Sequence, residues 1–428
     1  MTQPLRVALA GLGTVGAGVV KVLSSHGEVI AKRAGRPIEI VAVSARSRTK
    51  DRGVDISGFR WQDDPVALAQ ADDVDVLVEV MGGEDGPAKA ATAAALEAGK
   101  HVVSANKAML ATHGTDMAAK AEAAGVALRF EAAVAGGIPI VKALTEGLAA
   151  NGITRVMGVM NGTCNYILTE MERTGADFKD VLAEAQAKGY AEADPTADVG
   201  GFDAAQKLAL LTSIAFGTQV DYEGMSITGI ERVSLDDIRA AGDMGYRIKL
   251  LGVATRVGDA VSASMEPCLV PATSPLGMLE NVTNMVVVDG DFVGQTVYQG
   301  PGAGEGPTAS AVVGDIIDIA RGLILPPLGQ PSAGLATPRR ANSRSAGVYY
   351  LRLLLADQPG TLAQVADALA AKGISIDRMR QTSHSGDTAP VLIVTHACAP
   401  IALGEALHTI EALNICHAAP VAMRIEEV

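Results

Sequence analysis

The chain is short of aromatic residues, with one Trp, seven Tyr and six Phe in 428 positions. Its core must therefore be built from Ala, Val, Leu and Ile, a composition that suits parallel strands covered by helices. Cysteine is also sparse. Cys164, Cys268, Cys398 and Cys416 show no CxxC spacing, which argues against a zinc site or a disulfide framework and fits a reducing cytoplasm. None of the seven histidines falls in a metal spacing such as HxxxH, and His101 and His113 read as structural or exposed. No run of about 18 apolar residues is free of charge, so no transmembrane helix and no membrane partner is expected. The opening MTQPLRVALAGLG lacks a charged leader and cleavage site, so no signal peptide is expected. Positive charge is not in excess: the net charge of −13 argues against a nucleic-acid partner.

What is present is alternation. Apolar runs at Arg6–Ala10, Ile38–Val43, Val74–Val80, His101–Ser104 and Ala127–Val134 predict strands. Ala-rich segments such as Ala88–Ala98 and Asp116–Ala124 predict helices between them, stopped by Gly99 and Gly125. Strand–helix alternation over 1–134 implies a Rossmann-type parallel sheet. From 135 to 328 the pattern becomes an α+β substrate domain. It has a strand at Ile153–Met160 and helices from Thr163, at Phe178–Lys188 and at Phe202–Phe216. Further strands are predicted at Arg247–Arg256, Ala260–Pro267, Met285–Asp289 and Gln295–Tyr298. A helix at Thr308–Arg321 is placed to return to the first domain. Residues 329–346 mix Pro, Gly, Ser and Arg without periodicity and read as a linker. From 347 to 428 the order βαββαβ describes a small independent α+β module.

Gly11, Gly13 and Gly16 stand in GxGxxG spacing directly after a strand and at the head of a helix. Gly11 permits the tight turn, Gly13 lets the backbone approach a pyrophosphate, and Gly16 lets helix and strand pack closely. An NAD site usually has a carboxylate at the end of the second strand. Here the strand runs into Ser44, Arg46, Arg48 and Lys50, which favours NADP because an Arg fork suits a 2′-phosphate. NAD and dual use stay open.

The segment 189–207 concentrates Glu192, Asp194, Asp198, Asp203 and Lys207. Asp203 and Lys207 share a helix face. They read either as a proton-donating lysine with its carboxylate or as an exposed ion pair. Lys107 ends a predicted parallel strand, where open α/β sheets bind ligands. It reads as a substrate contact or as a surface lysine. Asn161 and Thr163 sit between a strand and a helix, where they suit substrate polar groups or, for Thr163, a helix cap. Cys164 is a candidate nucleophile or a small buried hydrophobe. The loop 300–308 closes over the cofactor near Gly304 or serves as a connector.

Together GLGTVG at 11–16, SANK at 104–107, EAAVAGGIPI at 131–140, NGTCNYIL at 161–168, GYAEADPTADVGGFDAAQKLALL at 189–211 and GPGAGEGPTASAVVGDI at 300–316 resemble homoserine dehydrogenase. The resemblance covers nearly the whole chain. It implies reversible interconversion of L-aspartate 4-semialdehyde and L-homoserine with NAD(P)H. Lys207 matches the family's proton donor, and Lys107 a second active-site lysine. Glu192 and Asp203 match residues that hold the substrate, with Asp198, Asn161 and Thr163 beside them. Gly11, Leu12, Gly13, Thr14, Val15, Gly16, Arg46, Ser104, Lys107, Gly189 and Gly304 are expected to meet the cofactor. Glu131, Val134, Gly136 and Ile138 resemble a monovalent cation site, usually sodium, built mostly of backbone carbonyls. The C-terminal module resembles an ACT domain, with Asp357, Gln358, Pro359, Gly360 and Leu362 in its first loop. That implies an amino-acid effector, L-threonine above others, and a homodimer or homotetramer. Two other readings remain: a phosphorylating semialdehyde dehydrogenase using Cys164, and a noncatalytic amino-acid sensor on a dinucleotide fold.

Overall fold

The computed structural model describes residues 3–341, 345–381 and 387–427. Short apolar runs bounded by turns form the first sheet: β1 (Leu5–Ala10), β2 (Ile38–Ser44), β3 (Arg60–Trp61), β4 (Val76–Glu79), β5 (His101–Ser104) and β6 (Leu128–Arg129). The order is β3-β2-β1-β4-β5-β6 and every pairing is parallel. Strand order reverses beside β1, since β2 lies on one side of it and β4 on the other. A crevice therefore opens at the carboxyl ends of these strands, where such sheets hold ligands. Helices Thr14–Ala34, Pro87–Glu97 and Lys107–Ala124 connect the strands. Helix Glu305–Ala320 comes back from far along the chain to pack on Thr14–Ala34. Gly18 makes this contact possible, because a Cβ there would lie 2.9 Å from the Glu305 carbonyl oxygen and 3.0 Å from Ala309. Ala309, Val312, Val313 and Ile316 join Leu5, Val7 and Leu9 in one core.

The second sheet begins with β7 (Ile153–Val159), β8 (Ser226–Ile227), β9 (Tyr246–Val257), β10 (Ala260–Pro271), β11 (Thr283–Gly290) and β12 (Gly294–Pro301). It continues through β13 (Val348–Ala356), β14 (Ile376–Gln381), β15 (Thr388–Thr395) and β16 (Val421–Ile425). Its order is β12-β11-β7-β9-β10-β16-β13-β15-β14, with β8 also on β10. Helices Gly162–Thr174 and Phe202–Phe216 cover the substrate half.

Four expectations need correction. The run Ala127–Val134 is a strand only at Leu128–Arg129, and then turns into a tight helix at Glu131–Ala133. The Glu131 carboxylate pulls it round by accepting the N–H groups of Val141 and Lys142, each at 2.8 Å. The helix expected from Asp116 starts at Lys107, capped by the Asn106 side chain. The stretch 329–346 is not a free linker over its described part. Leu335 is buried, Ala336 exchanges backbone bonds with Gly217 and Gln219, and Arg340 pairs with Asp221 at 2.8 Å; residues 342–344 lie outside the described residues. The C-terminal module has its own core around Leu351, Leu353, Val365 and Leu403, but it is not independent. Its strand β16 pairs in parallel with β10 through Cys268–Arg424 and Leu269–Ile425. Arg352 also reaches the fully buried Asp237 at 2.5 Å.

Candidate active site

The glycine turn is dictated by space. A Cβ on Gly11, whose φ is +111°, would lie 2.6 Å from the Val80 carbonyl oxygen. A Cβ on Gly16 would lie 2.2 Å from the Gly11 carbonyl. Gly13 faces open space and begins helix Thr14–Ala34 with no side-chain cap, so the N–H groups at Thr14 and Val15 and the positive end of the helix dipole are open to an anion. Leu12 is buried beneath the turn. A cleft of about 600 Å3 adjoins it, lined by Gly11, Gly13, Ser44, Arg46, Lys50, Arg52 and Met81 among others. Arg48 is not in its wall. These residues fit a dinucleotide phosphate: a turn whose tight backbone leaves no room for a side chain at Gly11 or Gly16, an open face at Gly13, and cations at its rim.

Two participants escaped the sequence. Arg52 donates from Nε to the Leu12 carbonyl at 3.0 Å and also bonds the Lys50 and Ser47 carbonyls. It thereby ties the basic loop to the glycine turn. Glu79 is fully buried at the end of β4. It accepts the Met81 N–H at 2.8 Å and the Ser104 hydroxyl at 2.8 Å. Burial pushes its carboxyl up, against those bonds. Arg52 lies beyond the basic run, and Glu79 has no pattern about it, so neither gave a signal.

Lys107, Asp203 and Lys207 come together from the two sheets' territories. Lys207 is buried and donates to Asp203 Oδ2 at 2.7 Å and to the Met160 carbonyl at 2.8 Å. Lys107 approaches Asp203 Oδ1 at 3.0 Å. Burial alone would raise the Asp203 carboxyl, but the two ammonium groups outweigh it and hold the group well below the usual carboxylate range. The charge on Asp203 in turn raises Lys107 against the effect of burial. Asn161 donates to Asp198 at 2.7 Å and to Asp203 at 3.0 Å, and its Oδ1 caps the next helix at Cys164. Burial pushes the Asp198 carboxyl up, and the Asn161 bond opposes it. Thr163 donates to the Tyr190 carbonyl at 2.7 Å. The exposed-ion-pair reading of Asp203 and Lys207 therefore fails.

Glu192 is exposed beside this cluster, and Asp194 accepts the Thr196 hydroxyl at 2.6 Å. Gly189 ends a helix with φ +74° and Gly304 begins one with φ +117°. Cys164 is fully buried 3.2 Å from the Asp198 carbonyl. Burial, then the charges of Asp198 and Asp203, raise its thiol well above the usual value. A protonated thiol walled in this way is not a nucleophile, so the phosphorylating reading is not supported. In the proposed cation loop, Ala135 and Gly136 are both left-handed, at φ +56° and +50°. The Glu131 carboxylate is already engaged by backbone N–H groups, so a cation fits there only through main-chain carbonyls.

A dinucleotide turn at a switch-point crevice, together with a Lys–Asp–Lys chain whose first lysine follows the carboxyl end of β5, defines a nicotinamide-dependent oxidoreductase. Comparison with known proteins narrows this. The homoserine dehydrogenase model matches residues 139–317, the NAD-binding domain model of homoserine dehydrogenase matches 11–131, and the ACT domain model matches 349–414. A homoserine dehydrogenase of Neisseria gonorrhoeae is 44% identical, with 98% of each chain covered. One from Pseudomonas aeruginosa is 42% identical over the whole of both chains. The crystal structure of a homoserine dehydrogenase from Thiobacillus denitrificans, 41% identical, superposes with a TM-score of 0.94 over 99% of each chain. The chain belongs to the homoserine dehydrogenase family: it is an NAD(P)-dependent oxidoreductase acting on a CH–OH group, with a C-terminal ACT domain. A noncatalytic sensor is not supported by so complete a match. Among the described residues no helix is long and apolar enough to cross a membrane.

Proposed function

We propose that Lys207 is the proton donor in the interconversion of L-aspartate 4-semialdehyde and L-homoserine. The observation that carries this is the Lys207–Asp203–Lys107 chain. An ammonium has three donors, and Lys207 uses two of them on Asp203 and the Met160 carbonyl. The third is left for the aldehyde oxygen. The nicotinamide cofactor, when bound, supplies the hydride. Lys207 steadies the oxygen as negative charge develops there and then gives it the Nζ proton. Asp203 raises Lys107 and holds both lysines in place by direct contact. Lys107 acts as a second cation at the same cleft, and Asn161 holds Asp198 and Asp203 in register. Glu192 and Thr163 complete the substrate side, Glu192 toward the amino group.

The same reading assigns residues 1–134 to the cofactor, 135–328 to the substrate and 347–428 to regulation. Arg46 beside Ser44 makes NADP the preferred cofactor, with NAD as a second. Ser104, Gly189 and Gly304 border it. The carbonyls of Glu131, Val134, Gly136 and Ile138 hold sodium as a structural hinge between cofactor and substrate parts. L-Threonine binds the ACT loop Asp357–Leu362 of a homodimer or homotetramer in the cytoplasm.

The test is turnover of aspartate semialdehyde followed by NADPH oxidation. Lys207→Ala should lose roughly a hundredfold or more in kcat, the scale of general acid catalysis, while cofactor affinity is kept. Near-normal turnover in that variant would remove Lys207 from the chemistry.

A further inference from the structure

The last residue of β4 stands between two halves of the crevice. In register, Glu79 lies beside Ala10 of β1, which leads into the glycine turn, and beside Ser104 of β5, which leads to Lys107. Glu79 is fully buried. No cation pairs with it among the described residues, so hydrogen-bond donors alone answer its charge. A carboxylate buried without a counter-ion works against folding, and the parallel pairing of β4 makes no demand for one.

Each oxygen serves a different side. Oε1 accepts the N–H groups of Met81 and Gly82 at 2.8 and 3.3 Å. Both residues line the cofactor cleft. The glycine turn rests on the peptide just before them: a Cβ on Gly11 would lie 2.6 Å from the Val80 carbonyl oxygen and 3.1 Å from the Met81 nitrogen.

Oε2 accepts the Ser104 hydroxyl proton at 2.8 Å, which fixes the direction of that hydroxyl. With its proton on Glu79, Ser104 Oγ presents a lone pair to the Asn106 N–H at 3.0 Å. Asn106 caps the next helix: its Oδ1 accepts the Met109 N–H at 3.2 Å, and its Nδ2 donates to the Gly83 carbonyl at 2.7 Å. Lys107 is the first residue of that helix and reaches Asp203 at 3.0 Å.

We propose that Glu79 is a positioning residue for the reaction. Through the Ser104 hydroxyl and Asn106 it sets the helix start that aims Lys107 at Asp203, and through its other oxygen it ties that start to the wall of the cofactor turn. This role rests on Lys107 serving the reaction as proposed for it. A carboxylate meets both demands and an amide does not. Glutamine at this place could still accept the Met81 and Gly82 N–H groups. Its NH2 would then meet the Ser104 oxygen as a second donor and leave the hydroxyl proton without an acceptor.

The experiment uses the full chain and compares Glu79→Gln, Ser104→Ala, Lys107→Ala and the double variant Glu79→Gln/Lys107→Ala. Rates with NADPH and aspartate semialdehyde are measured on each, together with the urea midpoint. Glu79→Gln should lower kcat roughly tenfold or more, the scale of a catalytic group held slightly out of place. Its NADPH KM should stay within about twofold, and its urea midpoint should hold because a buried unpaired charge is gone. Ser104→Ala should show the same fall in kcat. In the Lys107→Ala background, Glu79→Gln should cost no more than about twofold, since its route runs through Lys107. The role is refuted if Glu79→Gln turns over like the parent chain, if it loses the same factor with and without Lys107, or if kcat falls only in step with the urea midpoint. Should Glu79→Gln not fold, undiminished kcat in Ser104→Ala refutes it instead. Normal kcat in Lys107→Ala alone would remove Lys107 from the chemistry, and this route with it.

Discussion

Lys249 lies on β9 with its ammonium among neutral oxygens: Asn165 Oδ1 at 2.8 Å and the Leu279 carbonyl. Burial lowers its ammonium from 10.5 to about 8. Below pH 8 the folded and unfolded chains both carry this proton, and the burial cost is fully present. Between 8 and 10.5 the folded chain gives the proton up first, so stability rises with pH in that window. The gain is on the order of 3 kcal/mol at most. Lys249→Met should lack it. Urea unfolding at pH 7.5 and pH 10 should therefore show the parent chain gaining on the variant, and a constant difference would refute this. Arg46 carries the other prediction at this scale. Arg46→Ala should raise the KM for NADPH roughly tenfold, the loss of a charged fork on phosphate, and leave NADH nearly unaffected. Equal loss for both cofactors would place Arg46 away from the 2′-phosphate.

The glycine turn and the helix behind it stand or fall as one element. Gly16→Ala puts a methyl 2.2 Å from the Gly11 carbonyl. The turn must open, and NADPH binding followed by fluorescence should weaken roughly tenfold or more, about 1.4 kcal/mol. Undiminished binding would mean the phosphates lie elsewhere. This element was legible because its glycines are spaced by local geometry. So were β5 at His101–Ser104 and the helix Phe202–Phe216, whose periods are local too. Helix Leu235–Asp243 was overlooked although Ser234 and Asp237 form a capping box. The signal was there, in the S-x-x-D spacing. Glu79, Arg52 and the β10–β16 pairing are different. Each depends on a partner distant in sequence, and no periodicity in one segment records what another will bring beside it. The site residues were recognisable as types, but whether Asp203 and Lys207 face water or each other in a buried cleft depends on Met160 and Lys107, which other elements deliver.

At the scale of the whole molecule, the catalytic and ACT parts share one sheet and one buried charge. Asp237 is fully buried and held by Arg352, with Tyr350 at 3.3 Å. Arg352→Ala would strand that carboxylate, an error that typically costs about 3 kcal/mol. The variant should unfold at distinctly lower urea than the parent chain. An unchanged midpoint would show that the two parts do not depend on each other for stability. The shared sheet also has a consequence during synthesis. The partner of Cys268 and Leu269 lies about 150 residues further along the chain. At roughly 5–20 residues per second on the ribosome, the edge of β10 waits on the order of ten seconds for β16. Through that interval an apolar strand end is bare in the cell, which makes the nascent chain a natural client for chaperones.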